Sequence, residues 1–326
     1  MKLLITGAAG FLGRELVRAL LAQSQFKGQA IESLLLTDQI AVTDPVPLDD
    51  QRVQVHQGDL LDSLPELFES VYDGVFHLAS AVSAECEADF SLGLRANLAT
   101  TQALLEHLRQ QQSDTGVQAT LFFASSVAVF GGDAGVPLPE VITDSTLPVP
   151  QSSYGIHKFV CEQLIADYTR KGFIDGRVAR LMTVSVRPGR PNGAASSFLS
   201  GIVREPLAGE SASCPVDPDT SVAVASPRNT IDGILRVAQA DRAELGGRTA
   251  INLPALSLTV ADMLDALEDI AGADTRALVE VQEDSAIGRV VGSWPGRFEA
   301  TRAAALGLIP DASFHDIIHQ YIESLE

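Results

Sequence analysis

Residues 2–17, Lys2-Leu3-Leu4-Ile5-Thr6-Gly7-Ala8-Ala9-Gly10-Phe11-Leu12-Gly13-Arg14-Glu15-Leu16-Val17, run from a short apolar strand through three glycines into a helical pattern. Each glycine meets a physical need at such a junction. One allows a tight turn, one lets a bound group approach the backbone, and one lets helix and strand pack closely. The helix opens at Phe11 and Leu12, where free N–H groups and the positive dipole end favour a diphosphate. A glycine triplet alone is an ordinary turn, and its position between strand and helix is what gives it meaning.

The next strand, 34–37, ends at Asp38, an acid placed to accept hydrogen bonds from an adenosine ribose. Its carboxylate repels a ribose 2′-phosphate and no arginine stands beside it, so the pattern selects NAD over NADP. After a weaker strand at 53–55 comes Asp59-Leu60, which reads either as an acceptor for the adenine amino group or as a helix cap.

The same rhythm continues along the chain. A strand at 74–78, a helix at 88–112, a strand at 119–124, a helix at 154–170 and a strand at 178–186 follow one another. Short strands that are apolar on both faces imply a parallel sheet covered by helices on each side. Beyond Pro188 the texture changes, with Pro, Gly and Ser crowding 188–218 around a helical piece at 198–204. A helix at 230–240, a strand at 249–253 and helices at 260–271 and 315–325 complete the chain. The fold class is α/β, a Rossmann-type doubly wound parallel sheet with a smaller, irregular C-terminal substrate lobe. Residues 1–189 and 222–253 are assigned to nucleotide binding, and 190–221 and 254–326 to the lobe.

Composition narrows the partners. The chain of 326 residues carries 23 Lys+Arg against 42 Asp+Glu, a formal net charge of −19, which disfavours nucleic acid and anionic membrane surfaces. A few arginines in a cleft still suffice to attract a small anion. Cys86, Cys161 and Cys214 are odd in number and far apart, so they suggest neither a disulfide framework nor a metal site. Glycines interrupt what would be the apolar core of a signal peptide, and no apolar stretch reaches the roughly 20 residues of a membrane span. A cytoplasmic setting is the expectation.

The chemistry-bearing residues lie further on. Tyr154 and Lys158, at i and i+4, share one helix face. A free tyrosine, with pKa about 10, is a poor base at neutral pH. A cation about 4 Å away contributes on the order of 4 kcal/mol at an effective dielectric of 20, enough to make the phenol acidic. Tyr154 is then able to exchange a proton with a substrate hydroxyl. Phe122-Phe123-Ala124-Ser125-Ser126 ends a strand with two hydroxyls where open sheets bind ligands, and Ser126 is placed to hold the reacting oxygen. Each element by itself is common; their order along one chain is not.

With glycine turn, Asp38, strand-end serines and Tyr-x-x-x-Lys in sequence, the chain resembles the short-chain dehydrogenase/reductase superfamily, in its extended branch of epimerases and dehydratases. The resemblance implies Ser126, Tyr154 and Lys158 as the catalytic set, with Lys158 also on the nicotinamide ribose. It implies that His77-Leu78-Ala79-Ser80 runs beneath the cofactor, that Asn97 stands near the active site, and that Arg187-Pro188-Gly189 closes over the nicotinamide. A homodimer through the helices at 88–112 and 154–170 is also implied. Phe130 departs from the family's Val-Tyr-Gly, His157 fills a position that is commonly small, and Val127-Ala128 replace the acidic pair of dehydratases. The runs 187–198, 202–207 and Ser293-Trp294-Pro295-Gly296-Arg297 are similar to those of dehydrogenases that oxidise a small anionic polyhydroxy acid. Arg190, Asn192 and Arg228 are therefore the candidate substrate contacts, arginine offering a fork suited to a carboxylate. A nucleotide-sugar 4-epimerase and a non-catalytic dinucleotide sensor remain open alternatives.

Overall fold

The computed structural model describes residues 1–43, 45–189 and 194–325. Its central sheet has seven strands, β1 (Lys2–Thr6), β2 (Ser33–Asp38), β3 (Val53–Gln57), β4 (Gly74–His77), β5 (Thr120–Ser126), β6 (Asp175–Leu181) and β7 (Ile251–Asn252). They lie in the order β3-β2-β1-β4-β5-β6-β7, every neighbouring pair parallel. The order reverses between β1 and β4, which opens a crevice at their carboxyl ends.

Alternation along the strands feeds two layers of helices. Leu3 and Ile5 of β1 and Phe122 of β5 join a core with Leu16, Val17 and Leu20 of helix α1 (Phe11–Gln23). Leu4 of β1 and Leu121 and Phe123 of β5 face the other way. There they meet Leu64 of α2 (Leu60–Leu67), Leu104 and Leu108 of α3 (Thr100–Thr115), and Cys161 and Ile165 of α4 (Ser153–Arg170). All three cysteines are unpaired and buried. Among the described residues no helix is long and apolar enough to cross a membrane.

Two expectations change in detail. The single helix expected at 88–112 is broken. Short helices Ser83–Ala88 and Phe90–Gly93 meet at Asp89, whose carboxylate caps the second by accepting from the Leu92 N–H at 2.9 Å. A π-helical turn, Leu94–Ala99, then leads into α3. The strand expected at 178–186 also divides, because Thr183–Val184 leaves the main sheet. It joins Ser221–Ala225 and Leu256–Thr259 in a second, three-stranded sheet.

The C-terminal lobe is more regular than its composition suggests. Its core gathers Leu199, Ile202 and Val203 of α5 (Phe198–Leu207) with Val222 and Val224 of the second sheet. Met263 and Leu264 of α6 (Val260–Ala271) and Ile317 and Ile318 of α7 (Phe314–Glu323) complete it. Strand Ser221–Ala225 escapes a sequence reading because small residues alternate with valine and both faces are buried, leaving no polar period to recognise.

One buried cluster fixes helix α4 to the sheet. Glu162 accepts from Arg180 Nε at 2.9 Å and Nη2 at 2.6 Å, and from the Ser125 hydroxyl at 2.5 Å. The Arg180 guanidinium lies 4.7 Å from the centre of the Phe130 ring, so Phe130 serves as its platform. Glu162→Ala leaves Arg180 charged, buried and uncompensated, which costs about 3–5 kcal/mol. Urea unfolding of that variant will show a lower midpoint, whereas replacing Glu162 and Arg180 together by apolar residues recovers much of the loss. An unchanged midpoint in Glu162→Ala would contradict this account.

Candidate active site

The glycine turn forms as its spacing implies. Gly7 has φ +74°, and a Cβ there would lie 2.6 Å from the Ala79 nitrogen. A Cβ on Gly13 would lie 2.2 Å from the Gly7 oxygen, so the start of α1 rests directly on the turn. Gly10 is the N-cap of α1 and supplies no capping side chain, which keeps the first-turn amides of Phe11, Leu12 and Gly13 available to an anion. The Asp38 carboxylate is held beside this turn by the Ala9 N–H at 2.9 Å and the Ile40 N–H at 3.3 Å. Turn and acid together fit the diphosphate and ribose of a dinucleotide.

Other expected cofactor contacts fall into place unequally. Leu78 and Ser80 line the cleft, and the Ala79 N–H donates to the Thr6 hydroxyl at 3.3 Å. Asn97 is buried and does not line the cleft. Its Oδ1 accepts from Ser80 Oγ at 3.0 Å and Ala81 N at 2.7 Å, while Nδ2 donates to the Ala81 carbonyl at 3.1 Å. It therefore holds the 80–86 segment in place. Asp59 takes the capping role, accepting from the Asp62 N–H at 3.2 Å and pairing with Arg95 at 3.3 Å. Leu60 turns its side chain into the core. Pro188 borders a smaller space next to Ala9, Gly10 and Phe11.

The three residues read as the catalytic set converge on a cleft of about 300 Å³ at the crevice, which Ser126, Tyr154 and Lys158 all line. Ser126 ends β5, its Oγ accepting from the Ala128 N–H at 3.2 Å. Ser152 caps α4, accepting from the Gly155 N–H at 3.1 Å, so Tyr154 stands in the first turn. Gly155 makes the approach possible, because a Cβ there would lie 2.0 Å from the Ala128 oxygen. The helix thus touches the turn after Ser126, and the Ser126 and Tyr154 side chains line the same cleft.

Electrostatics here differ from the sequence expectation. Lys158 is buried and donates to the Ala124 carbonyl at 2.9 Å, with Nζ 5.5 Å from the centre of the Tyr154 ring. Burial pushes the Tyr154 phenol up to about 12, the hydrogen bond from Ser126 offsetting only part of this. Burial likewise pushes Lys158 down to about 8. In the chain without its cofactor, loss of water dominates the phenol and holds it in the protonated form. His77 is pushed down to about 3 by burial and then by Lys158; it bridges Thr6 Oγ1 at 2.7 Å and Thr101 Oγ1 at 3.0 Å as a neutral strut.

The candidate substrate residues fare differently. Arg228 is exposed and pairs with Glu323 at 3.6 Å, so a surface ion pair replaces the expected substrate contact. Arg190 and Asn192 lie outside the described residues. Arg297 pairs with Glu140 at 2.7 Å, but Trp294 of the same run does line the cleft. Sequence reasoning missed Thr183 and Met182, which follow the carboxyl end of β6 and line the cleft, and Gly155. His157, which fills a commonly small position, is buried and does not line the cleft.

Sheet order, glycine turn and facing hydroxyls define a dinucleotide-dependent enzyme of the Rossmann class. A model described as the NAD dependent epimerase/dehydratase family matches residues 3–252. A D-erythronate dehydrogenase from Cupriavidus necator is 46% identical over 99% of this chain and 98% of its own. Its namesake from Haemophilus influenzae is 41% identical over 99% of both chains. The crystal structure of a nucleoside-diphosphate-sugar epimerase from Agrobacterium tumefaciens is similar at 38% identity with TM-score 0.90, covering 99% of this chain and 94% of that one. The chain belongs to the NAD dependent epimerase/dehydratase family, as an NAD-dependent dehydrogenase within it.

Gly155→Ala tests the helix contact. The added methyl has no room against the Ala128 carbonyl, so α4 must shift at a cost of about 1–3 kcal/mol. A lower melting temperature, together with a lower kcat at saturating NAD, is the expected outcome.

Proposed function

We propose that this chain oxidises D-erythronate at its C2 hydroxyl to the corresponding 2-oxo acid, using NAD. Two full-length relatives that carry the D-erythronate dehydrogenase name support the substrate. The observation that carries the chemistry is the convergence of Ser126, Tyr154 and Lys158 on one cleft at the carboxyl ends of the strands, with Lys158 Nζ 5.5 Å from the centre of the Tyr154 ring. NAD, when bound, accepts the hydride from C2 and brings positive charge into the site. Gly7, Gly10, Gly13, Asp38, Leu78 and Ser80 are the residues assigned to hold it.

Tyr154 takes the C2 hydroxyl proton onto its phenolate oxygen as the C2–H bond breaks, leaving the C2–O unit as a carbonyl. Ser126 donates to the reacting oxygen and fixes its distance from Tyr154. Lys158 holds the ribose hydroxyls and, while charged, favours the phenolate. Residues 1–189 and 226–253 serve the cofactor in this reading; strand Ser221–Ala225, expected with the cofactor part, packs Val222 and Val224 into the lobe core and so belongs with the substrate part, as do residues 190–220 and the chain from 254 on. A homodimer in the cytoplasm is part of the same proposal. The half-exposed Ile156 and Val160 on α4 support the pairing, and the unpaired cysteines support a reducing compartment.

Adding D-erythronate and NAD to the protein will generate NADH absorbance, and interconversion of UDP-hexoses without added NAD would replace this reading with the epimerase one. Because the Tyr154 pKa is raised, the phenol is protonated at neutral pH, so oxidation at saturating substrate will rise as pH increases above 7. Reduction of the 2-oxo acid needs the phenol form and will stay level until the pH approaches the raised Tyr154 pKa. In Tyr154→Phe, turnover will drop by orders of magnitude while NADH binding is retained, and an unchanged rate would mean a different base. Val160→Glu will shift the species seen by light scattering from dimer to monomer.

A further inference from the structure

Arg187 enters the cleft from the segment after the second sheet's first strand. Its only side-chain hydrogen bond among the described residues runs from Nη2 to the Ser196 hydroxyl at 3.3 Å. No carboxylate among those residues pairs with it. Burial, and then the neighbouring charge of Arg204, push its pKa down to about 10. Arg204 differs in this respect, because it is paired with Glu205 at 2.5 Å and donates Nη1 to the Arg187 carbonyl at 2.8 Å. The pair Arg204–Glu205 is thus internally neutral and steadies the Arg187 backbone, while the Arg187 charge is left without a counter-ion.

A desolvated cation without an anion is unfavourable, and a fork of N–H donors aimed into a cleft satisfies itself by gripping a carboxylate or a phosphate. Arg187 borders two spaces. One is the cleft it shares with Ser126, Tyr154, Ser196 and Trp294. The other is the smaller space beside Ala9 and Gly10. The anion is therefore either on the substrate or on the cofactor. The first-turn amides of α1 already answer a diphosphate, whereas among the described residues lining the cleft Arg187 and Lys158 are the cations. Lys158, which donates to the Ala124 carbonyl, is assigned above to the cofactor ribose and the phenol.

We propose that the Arg187 guanidinium, with the Ser196 hydroxyl, binds the substrate carboxylate and selects acids over neutral polyols. This rests on the acid-oxidising reading above and supplies its specificity element. Arg187 holds the carboxylate end while Ser126 and Tyr154 take the adjacent C2 hydroxyl, which orients a 2-hydroxy acid from both ends.

The test compares D-erythronate with its neutral amide, D-erythronamide, in the wild-type protein, Arg187→Met and Arg187→Lys. Trp294 is the chain's one tryptophan and lines the cleft, so in a Tyr154→Phe background its fluorescence reads binding at saturating NAD without turnover. NADH formation is followed in parallel. Arg187→Met will weaken D-erythronate by on the order of 10- to 100-fold, the scale of lost charge-assisted hydrogen bonds. The amide will change less than about threefold, NADH affinity will be retained, and Arg187→Lys will fall between. Equal losses for acid and amide, or unchanged acid binding, would overturn the proposal. Parallel weakening of NADH would assign the guanidinium to the cofactor diphosphate instead and overturn it too. Should wild-type protein bind the acid through Arg187 yet form no NADH, the oxidation reading fails while the anion site stands.

Discussion

The Glu162 carboxylate, gripped by both Nε and Nη2 of Arg180 and by the Ser125 hydroxyl, is the constraint on which the site depends. It ties the middle of α4 to the ends of β5 and β6. Lys158 stands one turn earlier on the same face and Tyr154 one turn before that, so one anchor sets the height of both. The Lys158 bond to the Ala124 carbonyl adds a second fixed point on the same strand. Gly155 then lets the helix tip settle on the backbone after Ser126. Two strand-end hydroxyls, a phenol and an ammonium are thereby brought together without any of them sitting on a free loop.

Burial at this junction has an electrostatic side. With water largely excluded, a neutral phenol is favoured, and the ammonium and the imidazole of His77 are drawn toward their neutral forms. The chain by itself is thus poised in a state of low charge. Charge carried in by ligands acts in a medium where it is weakly screened, so small displacements count strongly. Arg187 is a contrasting case, a guanidinium that keeps its proton although largely removed from water and that has no carboxylate partner among the described residues.

What could be read in the sequence was what is local. Gly7 to Gly13, the strand end at Asp38, the serines at the end of β5 and the Tyr154–Lys158 pair are each set by neighbours within a few residues, and the elements form where the pattern puts them. The break at Asp89 was hidden because capping competes with helix continuation, and tertiary packing decides between them. Arg228 pairs on the surface with Glu323, a partner so distant in the chain that no local pattern points to it. Arg187 was underrated for the converse reason: among the described residues no carboxylate pairs with it, and a missing counter-ion leaves no local pattern. Asn97 was identified by likeness and turns out to support the 80–86 segment, a role visible only once its bonds are counted.

The lobe's core and the sheet's two cores are separately packed, and the cleft runs along the seam where they meet. Mutations that reshape the lobe's wall near Trp294 or Ser196 need not loosen the cradle under the dinucleotide. Such an arrangement lets selection explore new alcohols while hydride chemistry is preserved, and it offers a natural cut for exchanging lobes between relatives.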